Sequence, residues 1–405
     1  MDYQIFPAKL SGIVQIPSSK SLSHRRIFMA MLSQRPMLLS GILCCDDTQA
    51  TLTCFEALGG YYEWQGQHLY VDGRKLWTIP PKILPVRSSA STLRFLIPIC
   101  LTHPGTYYFV MEKSLSRRSL EAYQTMLAGQ AVFDKQGDTW KITGGLAPGK
   151  YEIDGSLSSQ FISGLLMALP LLSESSSLTI KNQMVSKDYM HMTLDVLTAS
   201  HIKIRQISSN HFEIPGHQTY CLNDVGGQAD ASSAAFFETA RYLGQKVIIE
   251  DYRTEHQADA AIVHILKEIA CHDVSVNVSD IPDLVPALSL AMALSPYHYT
   301  ITHASRLRDK ECDRLQAVAK TLAQMGAEIS ETEDGLVIHG VKRLHGAQLS
   351  SWHDHRIAMM IAIAASVADE PVILYDADCV TKSWPDFFKV YQNLGGRYHE
   401  LSLRQ

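Results

Sequence analysis

Six stretches of the chain open with small polar or charged residues and run on into an almost wholly apolar body. They are PSSKSLSHRRIFMAML (17–32), RSSASTLRFLIPICL (87–101), GSLSSQFISGLLMALPLL (155–172), GQADASSAAFFETARYL (227–243), SDIPDLVPALSLAMAL (279–294) and SWHDHRIAMMIAIAAS (351–366). A helix that is apolar all round belongs inside a core. Each stretch is followed by a more amphipathic one: 51–60, 119–130, 191–202, 260–270, 313–329 and 387–396. Apolar residues there recur three and four positions apart and a glycine often follows, which predicts a second, surface helix with a C-cap. Short β-like runs lie between the helices: TYYFVM, SLTI, KVIIE, GLVIHG and PVILYDA. The apolar stretches recur mostly about every 70 residues, so the pattern reads as an internal repeat. Six units of strands and two helices suggest two domains of three, each wrapping strands around buried helices. No Pro/Ser-rich linker or low-complexity run marks a boundary.

Composition narrows the class. With 405 residues, 46% hydrophobic and 19% charged, the chain is an ordinary globular protein with material for two cores. The eight cysteines are scattered, Cys44 and Cys45 being the only close pair, and no CxxC or Cys/His ligand spacing occurs. Neither a disulfide framework nor a zinc site is expected, and a reducing cytoplasm is. The N-terminus has no basic stretch leading into an apolar one, and no uncharged apolar run reaches the roughly 18 residues of a membrane span. A net charge of -5, a pI near 6.4 and the absence of Lys/Arg blocks leave no nucleic-acid footprint.

Against that acidic background, cations gather at helix starts. Lys20 and Arg25 open the first apolar helix, Arg94 lies in the second lead, and Arg356 follows Asp354 and His355 in the last. Positive charge is mildly unfavourable in a first turn, where N–H groups are unpaired and the macrodipole is positive. Two readings stand: Ser18, Ser19 and Ser158 are N-caps with the basic groups turned to solvent, or the helix starts converge on polyanionic ligands. Glycines for a Walker A loop are missing from SSKSLSHR, and no GxGxxG follows a strand, so neither a nucleotide-triphosphate nor a dinucleotide site is indicated.

Three further stretches carry candidate chemistry. On a helix through RLRDKECDRLQAV (306–318), Lys310 and Arg314 would share a face at i,i+4 beside Glu311, either as a solvated ion-pair face or as a site. Asp283 directly precedes an apolar helix, where burial would raise its pKa, or where it is simply an acid favoured by the dipole. WPDFF after Lys382 reads as a Pro-started helix.

Taken together, SKSLSHR, DGSLSSQF, KECDRL, DHRIAM and KSWPDFF, in this order and spacing, resemble the 5-enolpyruvylshikimate-3-phosphate synthase family over effectively the whole length. The resemblance implies an α/β fold, a two-domain inside-out α/β barrel with three βαβαββ repeats per domain around buried helices, the domains facing across a cleft that closes on substrate. One domain would be discontinuous, residues 1–18 plus 229–405, and the other would span 19–228. The implied reaction moves the enolpyruvyl group of phosphoenolpyruvate to the 5-hydroxyl of shikimate 3-phosphate and releases phosphate, with no metal or organic cofactor, in a cytoplasmic monomer. Carried over by motif, Lys20, Ser21, Arg25, Ser158, Ser159, Gln160, Ser186, Asp283 and Lys310 would contact shikimate 3-phosphate. Lys20, Ala90, Arg94, Arg118, Gln160, Arg314, Arg356 and Lys382 would contact phosphoenolpyruvate. Lys20, Asp283 and Glu311 would move protons, their roles left open, while His355 would stabilise or relay.

The chain departs from the family pattern at several places. Ala90 stands where a loop glycine is usual and Ser88 where Asn or Glu is frequent. Ser119 follows Arg118 where proline is common, Asp188 replaces a frequent proline, and Arg306 stands where some members have asparagine. The family is the target of glyphosate, a longer mimic of phosphoenolpyruvate, so a methyl group at Ala90 implies reduced sensitivity. Two rival readings are a UDP-N-acetylglucosamine enolpyruvyl transferase and a non-catalytic anion-binding relative. The first normally uses a loop cysteine, and no cysteine here lies in a comparable Gly-rich loop. Lys20, Asp283, Glu311, His355 and Lys382 argue against the second.

Overall fold

A computed structural model of the chain describes residues 1–78, 83–224, 226–250 and 257–401. It divides into two compact units, Met1–Pro17 with Ala229–Gln405, and Ser18–Gln228. Each has its own apolar core.

The six apolar stretches form helices Lys20–Leu32, Ala90–Leu101, Ser159–Ala168, Ala231–Tyr242, Val285–Ala293 and His355–Val367, nearly every residue of which is buried. Their polar leads are caps. Ser19, Ser89, Ser158, Asp230 and Asp354 each accept a backbone N–H of the first turn, which satisfies a donor that burial would otherwise leave unpaired. Ser18 caps nothing and lies in a bridge just before the helix. Amphipathic helices follow in every repeat, among them Asp46–Ala57, Lys187–Ala199 and Arg314–Gln324.

In the unit Ser18–Gln228, strands 83–87, 105–111, 139–144 and 131–136 form one sheet in that order, and 150–154, 176–181, 211–214 and 205–208 form another. In both, the first pair is parallel and the rest antiparallel. A parallel pair needs a crossover, here the buried helix, so each repeat runs strand, buried helix, strand, surface helix, strand, strand. The third sheet has three strands, 36–39, 68–72 and 61–65.

The other unit repeats the scheme with strands 274–277, 298–302, 336–339 and 328–331. Its last sheet borrows from the far end of the chain: Asp2–Phe6 pairs antiparallel with Val372–Tyr375 on one side and Arg397–Leu401 on the other. Ser11–Val14 likewise pairs in parallel with Lys246–Ile249. These two N-terminal strands were not among the β-like runs read from the pattern. Isolated strands of four or five residues carry little periodicity of their own, and their partners are more than 200 residues away.

Two expected helices begin later than the pattern implies. Ser305–Asp309 is a 3-10 turn and the following helix starts at Arg314, so Lys310 and Glu311 lie outside it and share no helix face with Arg314. The helix after Lys382 starts at Phe387, with Asp386 at its N-cap, so Pro385 precedes the helix rather than opening it. Among the described residues no helix is long and apolar enough to cross a membrane.

Candidate active site

The candidate residues fall into two sets, one in each unit. In the unit Ser18–Gln228 most of them lie near helix starts. Lys20, the first residue of its helix, donates from Nζ to Asp47 Oδ2 at 2.8 Å; the two side chains keep 16% and 7% of their exposure. Asp47 was not singled out from sequence, although its place in the first turn of an amphipathic helix was a usable signal.

Arg94 lies one turn into its helix and donates to Gln160 Oε1 at 2.8 Å and Ser158 Oγ at 3.5 Å, with its guanidinium 4.6 Å from the Phe161 ring centroid. Gln160 Nε2 donates in turn to Ser91 Oγ at 3.0 Å. The side chains of Ser158, Gln160, Arg94 and Ser91 are thus tied across two helix starts, with Ala90 and Ser159, both buried, beside them.

The backbone around Arg94 has an unusual basis. Pro98 lies four residues along the same helix and has no N–H to give to the Arg94 carbonyl. The Tyr123 hydroxyl takes that place, donating to Arg94 O at 2.7 Å. Gly164 makes room for it: a Cβ there would stand 2.5 Å from both Arg94 O and the Tyr123 hydroxyl.

Arg25 is buried, and burial pushes its guanidinium down to about 10. It donates to Thr193 Oγ1, to the Ser21 and Tyr189 carbonyls and to Ser163 Oγ, all within 3.2 Å. It therefore ties the first helix to two others and is not turned to solvent. Ser186 is buried, with left-handed φ of 54°, at the N-cap of Lys187–Ala199. Arg118 is buried in the turn after the short Lys113–Ser116 helix.

In the other unit the candidates gather around Arg314. Its Nε donates to Asp354 Oδ2, Nη1 to Asp283 Oδ1 and Nη2 to Glu311 Oε2, each at 2.8 Å. Arg356 Nη2 reaches Asp283 Oδ2 at 3.0 Å, and Lys310 Nζ stands 3.5 Å from Asp283 Oδ1. Asp354 also caps the last buried helix, accepting Arg356 N at 2.9 Å, so one carboxylate sets both the helix start and the hub. The solvated ion-pair reading fails here, because the Arg314 side chain is only 1% exposed.

The charge balance goes against one of the two readings of Asp283, the pKa raised by burial. Burial by itself would raise its pKa, but Arg356, Lys310 and Arg314 together outweigh burial and hold the carboxyl well below the usual range. Lys310 is lowered, chiefly by burial, with Asp283 opposing. Burial works against the Arg314 charge too, yet Asp354, Glu311 and Asp283 raise it well above the ordinary value. Asp259, a buried acid in the 3-10 turn Ala258–Ala261, was missed by sequence reading. Burial first, then the charge of Asp283, raises it to about 7, and it accepts from the Ser232 hydroxyl. His355 and Lys382 are buried in the same unit, at the start of the His355–Val367 helix and the end of the turn Ala377–Lys382.

Among the described residues no group of three or more His, Cys, Asp or Glu side chains is arranged to hold a metal ion. The arrangement presents cations and hydroxyls at helix starts in one unit and a balanced cation and carboxylate cluster in the other. Such groups can bind anionic substrates and exchange protons.

Comparisons with known proteins bear on this directly. The family model for EPSP synthase (3-phosphoshikimate 1-carboxyvinyltransferase) matches residues 6–274 and 270–391. A 3-phosphoshikimate 1-carboxyvinyltransferase of Clostridium botulinum (strain Alaska E43 / Type E3) is 37% identical over 99% of both chains. One from Clostridioides difficile (strain 630) is 36% identical over the same shares. Among solved structures, an EPSP synthase from Acinetobacter baumannii superposes with a TM-score of 0.81 at 24% identity, covering 98% of this chain and all of that one, a likeness of fold.

Proposed function

The chain belongs to the EPSP synthase (3-phosphoshikimate 1-carboxyvinyltransferase) family, and from that premise we propose how its residues divide the reaction. It is an enolpyruvyl transferase of the shikimate pathway, acting on phosphoenolpyruvate and shikimate 3-phosphate. The reaction adds the 5-hydroxyl oxygen to the central carbon of phosphoenolpyruvate while a proton joins the methylene carbon. Elimination then expels phosphate and removes a proton from the new methyl group, restoring the double bond.

The observation that carries the division of labour is the hub at Asp283, an acid with Arg314, Arg356 and Lys310 around it. Being ionised throughout the neutral range, Asp283 can accept a hydrogen from a substrate hydroxyl and cannot supply one. We assign it to the 5-hydroxyl of shikimate 3-phosphate, with Ser21, Arg25, Ser158, Ser159, Gln160, Ser186 and Lys310 serving the same substrate. Arg25 also sets its neighbours, since four of its five N–H donors go to protein oxygens. Lys20, Ala90, Arg94, Arg118, Gln160, Arg314, Arg356 and Lys382 serve phosphoenolpyruvate. Proton delivery to the methylene carbon falls to Glu311 or Lys20, and His355 stabilises the charge that develops. Anions held by preorganised donors in a water-poor site react faster because little reorganisation remains to be done. The enzyme acts as a cytoplasmic monomer without metal or organic cofactor.

Phosphate release tests the reading, measured with phosphoenolpyruvate and either shikimate 3-phosphate or UDP-N-acetylglucosamine as acceptor. Turnover is expected with the first acceptor only. Lys20→Met is expected to lower kcat by about a hundredfold or more, the range for losing a group that acts in the transition state. Turnover with UDP-N-acetylglucosamine would overturn the substrate assignment, and an unchanged kcat in Lys20→Met would remove Lys20 from the chemistry.

A further inference from the structure

Behind Lys20 and Ala90 runs a buried chain of polar side chains that no step of the reaction uses. His24 Nδ1 meets Thr51 Oγ1 at 2.9 Å, Thr51 Oγ1 meets Thr92 Oγ1 at 2.7 Å, and Thr92 Oγ1 donates to Ser89 Oγ at 2.7 Å. All four residues are fully buried. They come from three helices: His24 from Lys20–Leu32, Thr51 from Asp46–Ala57, and Thr92, with its N-cap Ser89, from Ala90–Leu101.

Two side links tie this chain to the candidate site. Both Thr51 Oγ1 and Thr92 Oγ1 lie 3.4 Å from the Asp47 carbonyl, and the Asp47 carboxylate holds Lys20. At the other end, Ser89 Oγ also accepts Thr92 N and so sets the helix start that begins with Ala90. The chain therefore joins the helix start that carries Lys20, the one that carries Asp47 and the one that carries Ala90 and Arg94.

An apolar core gives no reason for such a chain. Valine has the shape of threonine and would fill the same space without a hydroxyl to satisfy. Buried polar groups are tolerated when they are hydrogen-bonded, and a connected network favours one arrangement where apolar packing admits several. Three helices that meet only through apolar side chains could slide by fractions of an ångström. Here their relative register is set by directional bonds of 2.7 to 2.9 Å.

We infer that His24, Thr51 and Thr92 are positioning residues that lock the Ala90 helix start against Asp47 and Lys20, and so set the affinity for phosphoenolpyruvate. The inference rests on the assignment of Lys20, Ala90 and Arg94 to that substrate. None of the three touches substrate; they act through Ser89 and Asp47.

Steady-state kinetics of the full chain with Thr92→Val, Thr51→Val, the double variant and Thr92→Ser form the test. Thr92→Val is expected to raise KM for phosphoenolpyruvate about tenfold, the effect of one lost buried hydrogen bond, while KM for shikimate 3-phosphate moves by less than about twofold. Thr92→Ser, which keeps the hydroxyl, is expected to restore the wild-type value. The double Val variant is expected to be no worse than about the worse single one, because breaking a chain twice costs little more than breaking it once. If Thr92→Val does not fold, Thr51→Val alone carries the same comparison. Equal rises in both KM values, additive losses, or no rescue by serine would overturn the inference. An unchanged phosphoenolpyruvate KM in folded Val variants would overturn it too. Failure of the underlying assignment shows separately, as an undiminished kcat in Lys20→Met.

Discussion

Arg314 donates to Asp283 at 2.8 Å while its other two nitrogens hold Glu311 and Asp354. One buried cation thus bonds three acids, of which Asp354 is wholly buried and the other two partly. Removing it leaves carboxylates in low dielectric without their partner, and breaking a buried pair in this way costs about 3–5 kcal/mol. Arg314→Met is therefore expected to lose stability of that order in urea denaturation at pH 7. Asp283 is held low, so its contribution is present above the ordinary carboxylate pKa and is lost as pH falls through the folded value. In the variant that loss is expected to begin at a higher pH, because one of the three cations holding Asp283 down is gone. A stability loss below about 1 kcal/mol would mean that Arg356 and Lys310 suffice without Arg314.

A second prediction concerns the Arg94 carbonyl. Pro98 cannot serve it, and Tyr123 does, its single O–H lying also within 3.1 Å of Phe161 O, which shares it. Tyr123→Phe keeps the ring and removes both contacts. The expected cost is about 1–3 kcal/mol, the range for leaving a buried acceptor unsatisfied. Gly164→Ala is expected to cost at least as much, since its methyl group would stand 2.5 Å from the same two oxygens. Equilibrium denaturation midpoints decide both. If Tyr123→Phe is neutral, the carbonyl has found another donor.

These contrasts show what the chain's pattern could and could not say. Apolar runs behind polar leads located all six buried helices, because burial on every side favours apolar residues even where a few polar ones, such as His24 and Thr92, are buried with them. The leads also marked Lys20, Arg94 and Arg356 as out of place in a first turn. Sequence placed Glu311 beside Arg314 but could not show that Asp283 and Asp354 converge on it from two other segments. The direction in which Asp283 titrates followed that convergence, so a reading from its own apolar neighbours came out with the wrong sign. Strands Asp2–Phe6 and Ser11–Val14 escaped for a related reason: the partners that define them lie at the other end of the chain. Asp47 and Asp259 both stand in the first turn of a helical segment, a place where an acid is legible from sequence.

Asp259 gives a pH-dependent prediction of the opposite sign. Burial and the charge of Asp283 raise its carboxyl from 3.8 to about 7. Between those values the unfolded chain has released this proton and the folded chain still holds it, so stability attributable to Asp259 falls as pH rises from about 4 to about 7. The facing groups are Asp283, Arg356, Asp230 and the Ser232 hydroxyl. Asp259→Asn has no proton to lose, so its melting temperature relative to wild type is expected to climb from pH 5 to pH 8. A difference that stays constant over that interval would show that Asp259 ionises at its ordinary pKa.

Ala90 carries the last prediction. It is the first residue of its helix and buried, with Ser89 capping in front of it and Ser91 bound to Gln160 behind, so its methyl group has little freedom to move away. On the proposed assignment it faces the phosphoenolpyruvate site, where the family's inhibitor glyphosate must fit a longer molecule into the same space. Overpacking by one methyl group typically costs about 1–3 kcal/mol, equivalent to roughly tenfold to more than a hundredfold in affinity. The shorter substrate should lose less. Ala90→Gly is thus expected to lower the glyphosate inhibition constant by at least about tenfold while changing KM for phosphoenolpyruvate by only about two- to threefold. Greater backbone freedom in the glycine variant is also expected to lower its stability by about 0.5–1 kcal/mol, a cost measurable independently by denaturation. Inhibition of both proteins at matched phosphoenolpyruvate saturation separates the two effects. Equal inhibition constants would show that the Ala90 methyl group does not meet the inhibitor.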